Sequence, residues 1–342
     1  MSGGVDSSIA AALLKKDGHE VHGFFMTLAQ EDLDEQVARA RKIAGHLDIP
    51  LTVTDLSRAF AETVLDYFCE SYAQGRTPNP CVLCNHSIKF GRLLEAATDH
   101  GCKLLATGHY ARVARNPDGS FSLLRGLDSK KDQSYFLCRL TQRQLARIVL
   151  PHGEHTKEDV YEMAAELGLS GKHSVESQDV CFLKNQDVGG FLESRLSMIP
   201  SPGPIITADN KQIGTHAGIH HFTIGQRRGL GIPAASPYYV TAIRPETDTV
   251  VAGKKDDLWQ DTIIIKNINW LSGISPRLPQ QYMVKIRYRH QPAAATAEPG
   301  DEERLVLHFQ EPQLAVTPGQ FAVFYQEDEV IGSGEICYNK YT

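Results

Sequence analysis

Met1-Ser-Gly-Gly-Val-Asp-Ser-Ser8 is the stretch whose reading decides the N-terminal half of the chain. Gly3 and Gly4 carry no Cβ and let the backbone approach an anion closely. Ser2, Ser7 and Ser8 add hydroxyl donors, and the run from Val5 to Lys16, apolar at Ile9, Ala12 and Leu13, predicts a helix whose N-terminal amides face the same anion. Gly18 stops that helix. The Gly-Lys-Ser/Thr ending of a Walker A loop is absent. The plainer alternative is a glycine turn before a serine-capped helix, but Ser-Gly-Gly-x-Asp-Ser ahead of a helix favours phosphate. A loop of this kind normally follows a buried strand, and here it starts at residue 1. The expectation is therefore that the first strand of a sheet is missing, through truncation or a start assigned to an internal Met, leaving a neighbouring strand edge open.

Working outward, the pattern alternates. Glu20 to Leu28 reads as a strand, Asp34 to Leu47 as a helix, Pro50 to Asp55 as extended and Ala59 to Tyr72 as a helix. Gly75-Arg-Thr-Pro-Asn-Pro80 reads as a loop, Ile88 to His100 as a helix and Lys103 to Thr107 as a buried-type strand. Such β/α alternation predicts a doubly wound parallel sheet. Pro200-Ser-Pro-Gly-Pro204 blocks both helix and central strand. Beyond it short strands and turns dominate. The expected domains are residues 1–195, an α/β phosphate-loop domain; 196–261, a small linking domain; and 262–342, a compact antiparallel β-barrel-like domain. Thr156-Lys-Glu-Asp159 reads as a capping box with no functional role, and Asn116-Pro-Asp-Gly119 as a hairpin turn and nothing more.

Composition narrows the class. With 42% apolar and 22% charged residues the chain is an ordinary globular one, and no apolar run approaches the roughly 18 residues of a membrane span. The N-terminus is no secretory signal, so a cytoplasmic location is expected. A net charge of −6 announces no nucleic-acid binder, so any polyanion must meet local basic patches. Lys285, Arg287 and Arg289 alternate with Val284, Ile286 and Tyr288, which predicts a row of cations about 7 Å apart on one strand face, suited to phosphates, or else a solvated face. Gln226-Arg-Arg-Gly229 and Lys130-Lys131 are further basic turns. His216, His220 and His221 have no acidic or thiol partner nearby in sequence and read as structural.

Seven cysteines in such a chain argue for reduced thiols rather than a disulfide framework. Cys81 and Cys84 form a Cys-x-x-Cys on the Pro-rich loop where it runs into a helix, a position expected to lower thiol pKa. Two thiols also suit zinc, but no second pair completes a closed site. With Cys181 they make three thiolates, which on a 4Fe–4S cluster leave one iron open for a labile sulfide. Cys69, Cys102, Cys138 and Cys337 sit among apolar neighbours and read as inert core thiols.

The opening loop resembles the PP-loop of ATP pyrophosphatases, which cleave ATP to AMP and pyrophosphate while adenylating a substrate. Further motifs follow in one order: Phe25-Met26, Pro78-Asn-Pro80 with Cys84-Asn85, Thr107-Gly-His-Tyr-Ala-Arg112, Lys131-Asp-Gln133, Ser177-Gln-Asp179 with Cys181, and Gly225-Gln-Arg-Arg-Gly-Leu230. The series resembles the tRNA-specific 2-thiouridylase family over essentially the whole chain. That resemblance implies an enzyme that adenylates and 2-thiolates the wobble uridine of tRNA, with ATP and Mg²⁺, and with a cysteine desulfurase or sulfur-relay protein as donor. It implies ATP on Ser2, Gly3, Gly4, Val5, Asp6 and Ser7, with Met26 and Gly108. Cys84 would be the nucleophile and Cys181 the persulfide carrier. Asn79, Pro80 and Cys81 would meet the target base, and His109, Lys131, Asp132, Gln133, Arg287, Tyr288 and Gln320 the tRNA. Many family members have Asp where this chain has Cys81, which favours the cluster reading, since thiolate is the better iron ligand. A PP-loop amidotransferase of the GMP-synthetase kind and a non-catalytic tRNA-binding protein are the rival readings.

Overall fold

Helix α1, Val5–Lys16, stands where the sequence places it, and Gly18 takes the left-handed φ of 83° that ends it. The computed structural model describes all residues except 29, 31, 170–179, 184–186, 197–200 and 338–342. The Ser177-Gln-Asp179 motif and Pro200 lie outside the described residues. Strand β1 (Gly23–Thr27) and strand β2 (Leu51–Asp55) pair in parallel, Gly23 opposite Leu51. Helix α2 (Leu33–His46) joins them in a βαβ unit. A second parallel pair unites β3 (Leu105–Ala106) with β6 (Ile148–Val149). On the edge of β1, the Phe24 carbonyl accepts a hydrogen bond from the Met1 ammonium. Parallel strands with crossover helices are the fold class expected of this half.

Two long helices carry π-helical stretches that the sequence reading did not show, and the second also starts earlier than expected. Residues 57–73 (α3) run on through a π-helical stretch at Ala61–Leu65. Residues 80–99 (α4) contain another at Cys84–Arg92. Helix α4 therefore begins eight residues before Ile88. Proline is compatible with the first helical position, where its missing N–H costs nothing. Asn79 caps the turn by accepting from the Val82 amide at 3.4 Å. Reading Pro80 as loop ended the loop too late, and the Cys-x-x-Cys lies within the helix rather than before it.

Strands β4 (Ala111–Arg115) and β5 (Phe121–Arg125) form the hairpin that Asn116–Gly119 announces. The hairpin does more than turn. β5 pairs with β16 (Glu329–Ile336) of the C-terminal barrel, extending that sheet into the first domain. Helices α5 (Lys157–Glu166) and α6 (Val188–Leu196) complete the N-terminal region. The linking region holds β7 (Gly203–Ile206), β8 (Gln212–His216), β9 (Tyr239–Arg244) and β10 (Thr249–Gly253) in the order β8-β7-β10-β9. It has its own core of Ile205, Val240, Ile243 and Val250. Last come β11 (Trp259–Trp270), β12 (Gln280–Lys285), β13 (Ala293–Pro299), β14 (Leu305–Leu314) and β15 (Phe321–Gln326), with β16 closing against β11 into a six-stranded antiparallel barrel. Barrel residues Phe321, Val323, Tyr325 and Val330 share one core with Val82, Phe90, Leu123 and Tyr135 of the first domain. Burial on both sides of that seam joins the two domains into one body.

Candidate active site

The phosphate loop is pre-shaped by its own polar groups. Gly3 has φ 78°, a left-handed conformation that glycine adopts without strain. Ser2 Oγ lies 3.2 Å from Ser7 Oγ, the Ser2 amide donates to Ser7 Oγ at 3.1 Å, and Ser7 and Ser8 hydroxyls both donate to the Gly4 carbonyl. The loop thus curls over the first turn of α1, the arrangement that suits an anion at a helix N-terminus.

A second layer fixes the loop from below, and most of it escaped sequence reading. Lys157 Nζ lies 2.6 Å from Asp6 Oδ1, and Tyr110 donates its hydroxyl to the same oxygen at 2.9 Å. His152 Nε2 donates to the Asp6 carbonyl at 2.7 Å. Burial, with the Asp6 carboxylate beside it, raises the Tyr110 pKa, while burial lowers that of His152. Both rings therefore stay neutral. The capping box at Thr156 is present as expected, yet Lys157 inside it reaches the nucleotide loop. Gly108 is held to glycine, since a Cβ there would stand 2.7 Å from the Asp6 backbone. Arg39 lies against Gly3, where a Cβ would meet its Cδ at 3.4 Å. Sequence offered no signal for either cation, because each sits at ordinary helical spacing far from the loop.

The thiols converge. Cys81, Cys84 and Cys181 are free; Cys181 lies within the field of both Cys81 and Cys84, and Cys81 within that of Cys84. All three feel the Lys89 ammonium, which favours their thiolates. Lys89 is five residues beyond Cys84, a spacing that the wider π-helical turn brings toward one face. Sequence reasoning missed it, because a straight α-helix would turn that side chain away. Cys84 is buried among Phe60, Val64, Leu65 and Ile88, whereas Cys181 sits exposed at a turn. The Cys181 turn is anchored by Phe182, whose ring lies 5.8 Å from Phe60 and 5.1 Å from Phe68. The expected lowering of thiol pKa is overturned. Burial raises Cys84 to about 12 and raises Cys81, and desolvation of its sulfur raises Cys181 as well, although that residue is exposed. Loss of hydration outweighs the helix terminus and Lys89 together. Among the remaining cysteines, Cys69 and Cys138 are buried while Cys102 and Cys337 are half-buried.

Nucleotide loop and thiols stand on either side of one segment, Thr107–Tyr110. Gly108 touches Asp6, and its neighbour His109 lies within the field of Lys89 and has its ring against Phe90. Thr107 Oγ1 is 2.8 Å from His109 Nδ1, and burial keeps that imidazole neutral. Met26 of β1 packs against the Cys84 cluster, so its strand borders both parts.

The residues expected to meet RNA divide. Cys81 is half-buried and Asn79 is the helix cap, but Pro80 is buried. Asp132 is also buried: it accepts from the Gly126 and Ser134 amides and from the Ser134 hydroxyl. Gln133 braces Tyr110, accepting from its amide at 3.0 Å. Both hold the site from behind. Lys131 is only half-buried. The predicted cationic row on one strand breaks up. β12 ends at Lys285, whose ammonium lies 5.6 Å from the Tyr288 ring and 6.0 Å from that of Tyr135. Arg287 donates to the Leu314 carbonyl at 3.3 Å, and Tyr288 stacks 4.4 Å from Phe136. Aromatic packing captured what alternation placed in solvent; Arg289 stays exposed. Gln320 donates to the Thr77 carbonyl at 2.8 Å, joining the barrel to the loop before α4.

A phosphate-shaped loop on a parallel sheet, followed by two β modules, defines a nucleotide-binding HUP-type protein with barrel appendages. Residues 1–185 match the family described as tRNA methyl transferase HUP domain, 190–254 the tRNA methyl transferase PRC-barrel domain and 260–336 the aminomethyltransferase beta-barrel domain. A relative from Syntrophotalea carbinolica is 46% identical over 98% of this chain and 97% of its own length. Others from Moorella thermoacetica and Lachnoclostridium phytofermentans are 43% and 40% identical over 98% of this chain and 98% of their own lengths. All three carry the name tRNA-specific 2-thiouridylase MnmA. The chain belongs to the tRNA-specific 2-thiouridylase family.

Proposed function

We propose that this protein is a tRNA-uridine 2-sulfurtransferase that adenylates uridine 34 with ATP and replaces its 2-oxygen with sulfur, releasing AMP and pyrophosphate. The observation that carries the reading is the convergence of Cys84 and Cys181 around Lys89, one segment away from the Asp6 loop. The 2-oxo oxygen leaves only once it is a phosphate ester. The loop Ser2–Ser7 and the amides of α1 would stabilise charge on the phosphates, with Met26 and Gly108 bordering the nucleotide. Mg²⁺ would supply charge neutralisation across those phosphates. The base must leave its stack to arrive here.

In the sulfur step, the terminal sulfur of a Cys181 persulfide, charged by a separate donor protein, attacks C2 and AMP leaves. The Cys84 thiolate then attacks Cys181 Sγ and breaks the persulfide S–S bond. The thiolated base departs and a Cys84–Cys181 disulfide remains. Two electrons and two protons from an external dithiol, which is itself oxidised to a disulfide, restore the two thiols. Lys89 is the cation placed to favour the attacking thiolate. Exposed Cys181 suits exchange with a donor, and buried Cys84 suits the internal step.

The second reading is a 4Fe–4S cluster on Cys81, Cys84 and Cys181, which rests on residue type alone. Desolvation raises the pKa of all three thiols, and the group of described residues whose donors all fall within 4.8 Å lies elsewhere. Methyl transfer, named in two of the matched family descriptions, gives Cys84 and Cys181 no paired role.

The test is C84S and C181S. Each is expected to abolish thiolated nucleoside in tRNA digests read by mass spectrometry, while tRNA-dependent pyrophosphate release persists. Full thiolation by C84S would overturn the proposal in favour of an amidotransferase-like activity. Loss of pyrophosphate release in the parent protein would favour a tRNA-binding role alone. Anaerobic protein that is colourless, free of iron and active would exclude the cluster.

A further inference from the structure

His220 and His221 gain in the fold the acidic partner that the sequence does not show beside them. Glu193 on α6 places Oε1 3.2 Å from Nε2 of both histidines. The two rings lie 4.2 Å apart at 38°, and one donor atom from each of the three residues lies within 4.8 Å of the others. His216 belongs to a separate arrangement, its Nε2 donating to the Asp248 carbonyl at 2.9 Å. His220 is 2% exposed, whereas Glu193 and His221 are 35% exposed, so the cluster has a sealed back and an open front.

The backbone is cut to receive the rings. A Cβ on Gly189 would fall 2.1 Å from His221 Nδ1, and one on Gly218 would fall 2.3 Å from His220 Cε1. Glycine at both places lets the imidazoles seat against bare backbone with both Nε2 atoms converging on one carboxylate oxygen. Two imidazole nitrogens and a carboxylate are the donor set of borderline divalent transition ions, with a fourth position left to water.

We propose that Glu193, His220 and His221 form a site for a divalent ion of the Zn²⁺ class that clamps α6 to the linking domain. On binding, each imidazole moves its proton to Nδ1 and presents the Nε2 lone pair to the ion, and the carboxylate turns from hydrogen-bond acceptor to ligand. Two residues before Glu193, Phe191 packs its ring 5.1 Å from Phe182, next to Cys181. The clamp therefore ties the segment bearing the exposed thiol to the module beyond it. The inference does not depend on sulfur transfer.

Full-length protein is stripped of metal and titrated with Zn²⁺ against a chromophoric chelator, in a C81S/C84S/C181S background that removes the competing thiols. One equivalent is expected to bind. E193Q and H221Q should each weaken it by about tenfold or more, since even outer partners of a bound metal are worth about 10–100-fold. Co²⁺ should give visible bands without the near-ultraviolet charge transfer of thiolate ligation. Unchanged Zn²⁺ affinity in E193Q, or no binding in the parent, would overturn the site. Melting curves in chelator confirm that each variant is folded, and the half-buried Glu193 keeps the test available if a histidine variant is not. Failure here leaves the thiolation assay unaffected, and the reverse also holds.

Discussion

At the scale of single residues, the Cys84 thiol is governed by a contest that burial wins. Its pKa of about 12 in the fold exceeds the ordinary 9.0. The folded state therefore holds a proton that the unfolded chain releases, and the resulting stability is complete below the unfolded value and lost as pH climbs toward the folded one. Between pH 9 and 11 the parent protein should lose up to about 1.4 kcal/mol per pH unit more than C84A, read from urea midpoints. Equal pH slopes would contradict the buried neutral thiol. At pH 8, iodoacetamide should label exposed Cys181 well before Cys84, as peptide mass spectrometry would show. Lys157 acts at the same scale. K157M removes the buried partner of Asp6, which keeps its Tyr110 bond and is 37% exposed. The expected cost is about 1–2 kcal/mol of stability, below the larger penalty of a wholly buried unpaired charge. ATP affinity should fall by about tenfold in calorimetry, in line with the loss of one charge-assisted contact. Unaltered affinity would remove Lys157 from the site.

At the scale of elements, legibility followed locality. The phosphate loop and α1 were readable because glycine freedom, hydroxyl donors and a helix N-terminus act within eight residues of one another. The thiols could be named from residue type, but the raised pKa of Cys84 was out of reach, since it depends on Phe60, Val64 and Leu65 from α3. The start of α4 was misread because Pro80 stands both in loops and at the first helical position. The π-helical turn that swings Lys89 toward Cys84 leaves no mark at the level of apolar spacing. Glu193 was invisible for a simpler reason: it is brought to His220 across 27 positions by tertiary folding. One element that does carry a readable constraint is the Thr107–Tyr110 segment. G108A must push its methyl into the Asp6 backbone, 2.7 Å away, and backbone yields less readily than a side-chain end. Tenfold or greater loss of ATP affinity is expected, about 1.4 kcal/mol, with the melting temperature changed far less. A G108A protein binding ATP normally would show that the segment does not border the nucleotide.

At the scale of the molecule, the loop leading into α4 is held by both of the β modules. Pro318 accepts from the Thr77 amide at 2.9 Å, Gln320 donates to its carbonyl at 2.8 Å, and Thr223 of the linking region lies 3.0 Å from its hydroxyl. Gly319, at φ 90°, permits this approach, since a Cβ would stand 3.0 Å from the Thr77 carbonyl oxygen. Arg76 pairs with Glu335 at 2.7 Å, with side chains 17% and 9% exposed, and Asn267 donates to the other Glu335 oxygen at 3.1 Å. The barrel thereby positions the helix that carries Cys81, Cys84 and Lys89, in addition to any surface it offers RNA. Removing one partner of a pair this buried strands the other, a loss on the order of 3 kcal/mol. E335Q keeps the shape and the Asn267 contact but leaves Arg76 without its counter-charge. Thiolation should therefore fall through kcat, because the misplaced groups act in the sulfur step. Pyrophosphate release should hold closer to the parent value, since the Asp6 loop hangs on Lys157, Tyr110 and His152 instead. Parallel loss of both activities would mean that E335Q merely loosens the whole body, and an unchanged ratio of thiolated base to pyrophosphate would locate the barrel's role elsewhere.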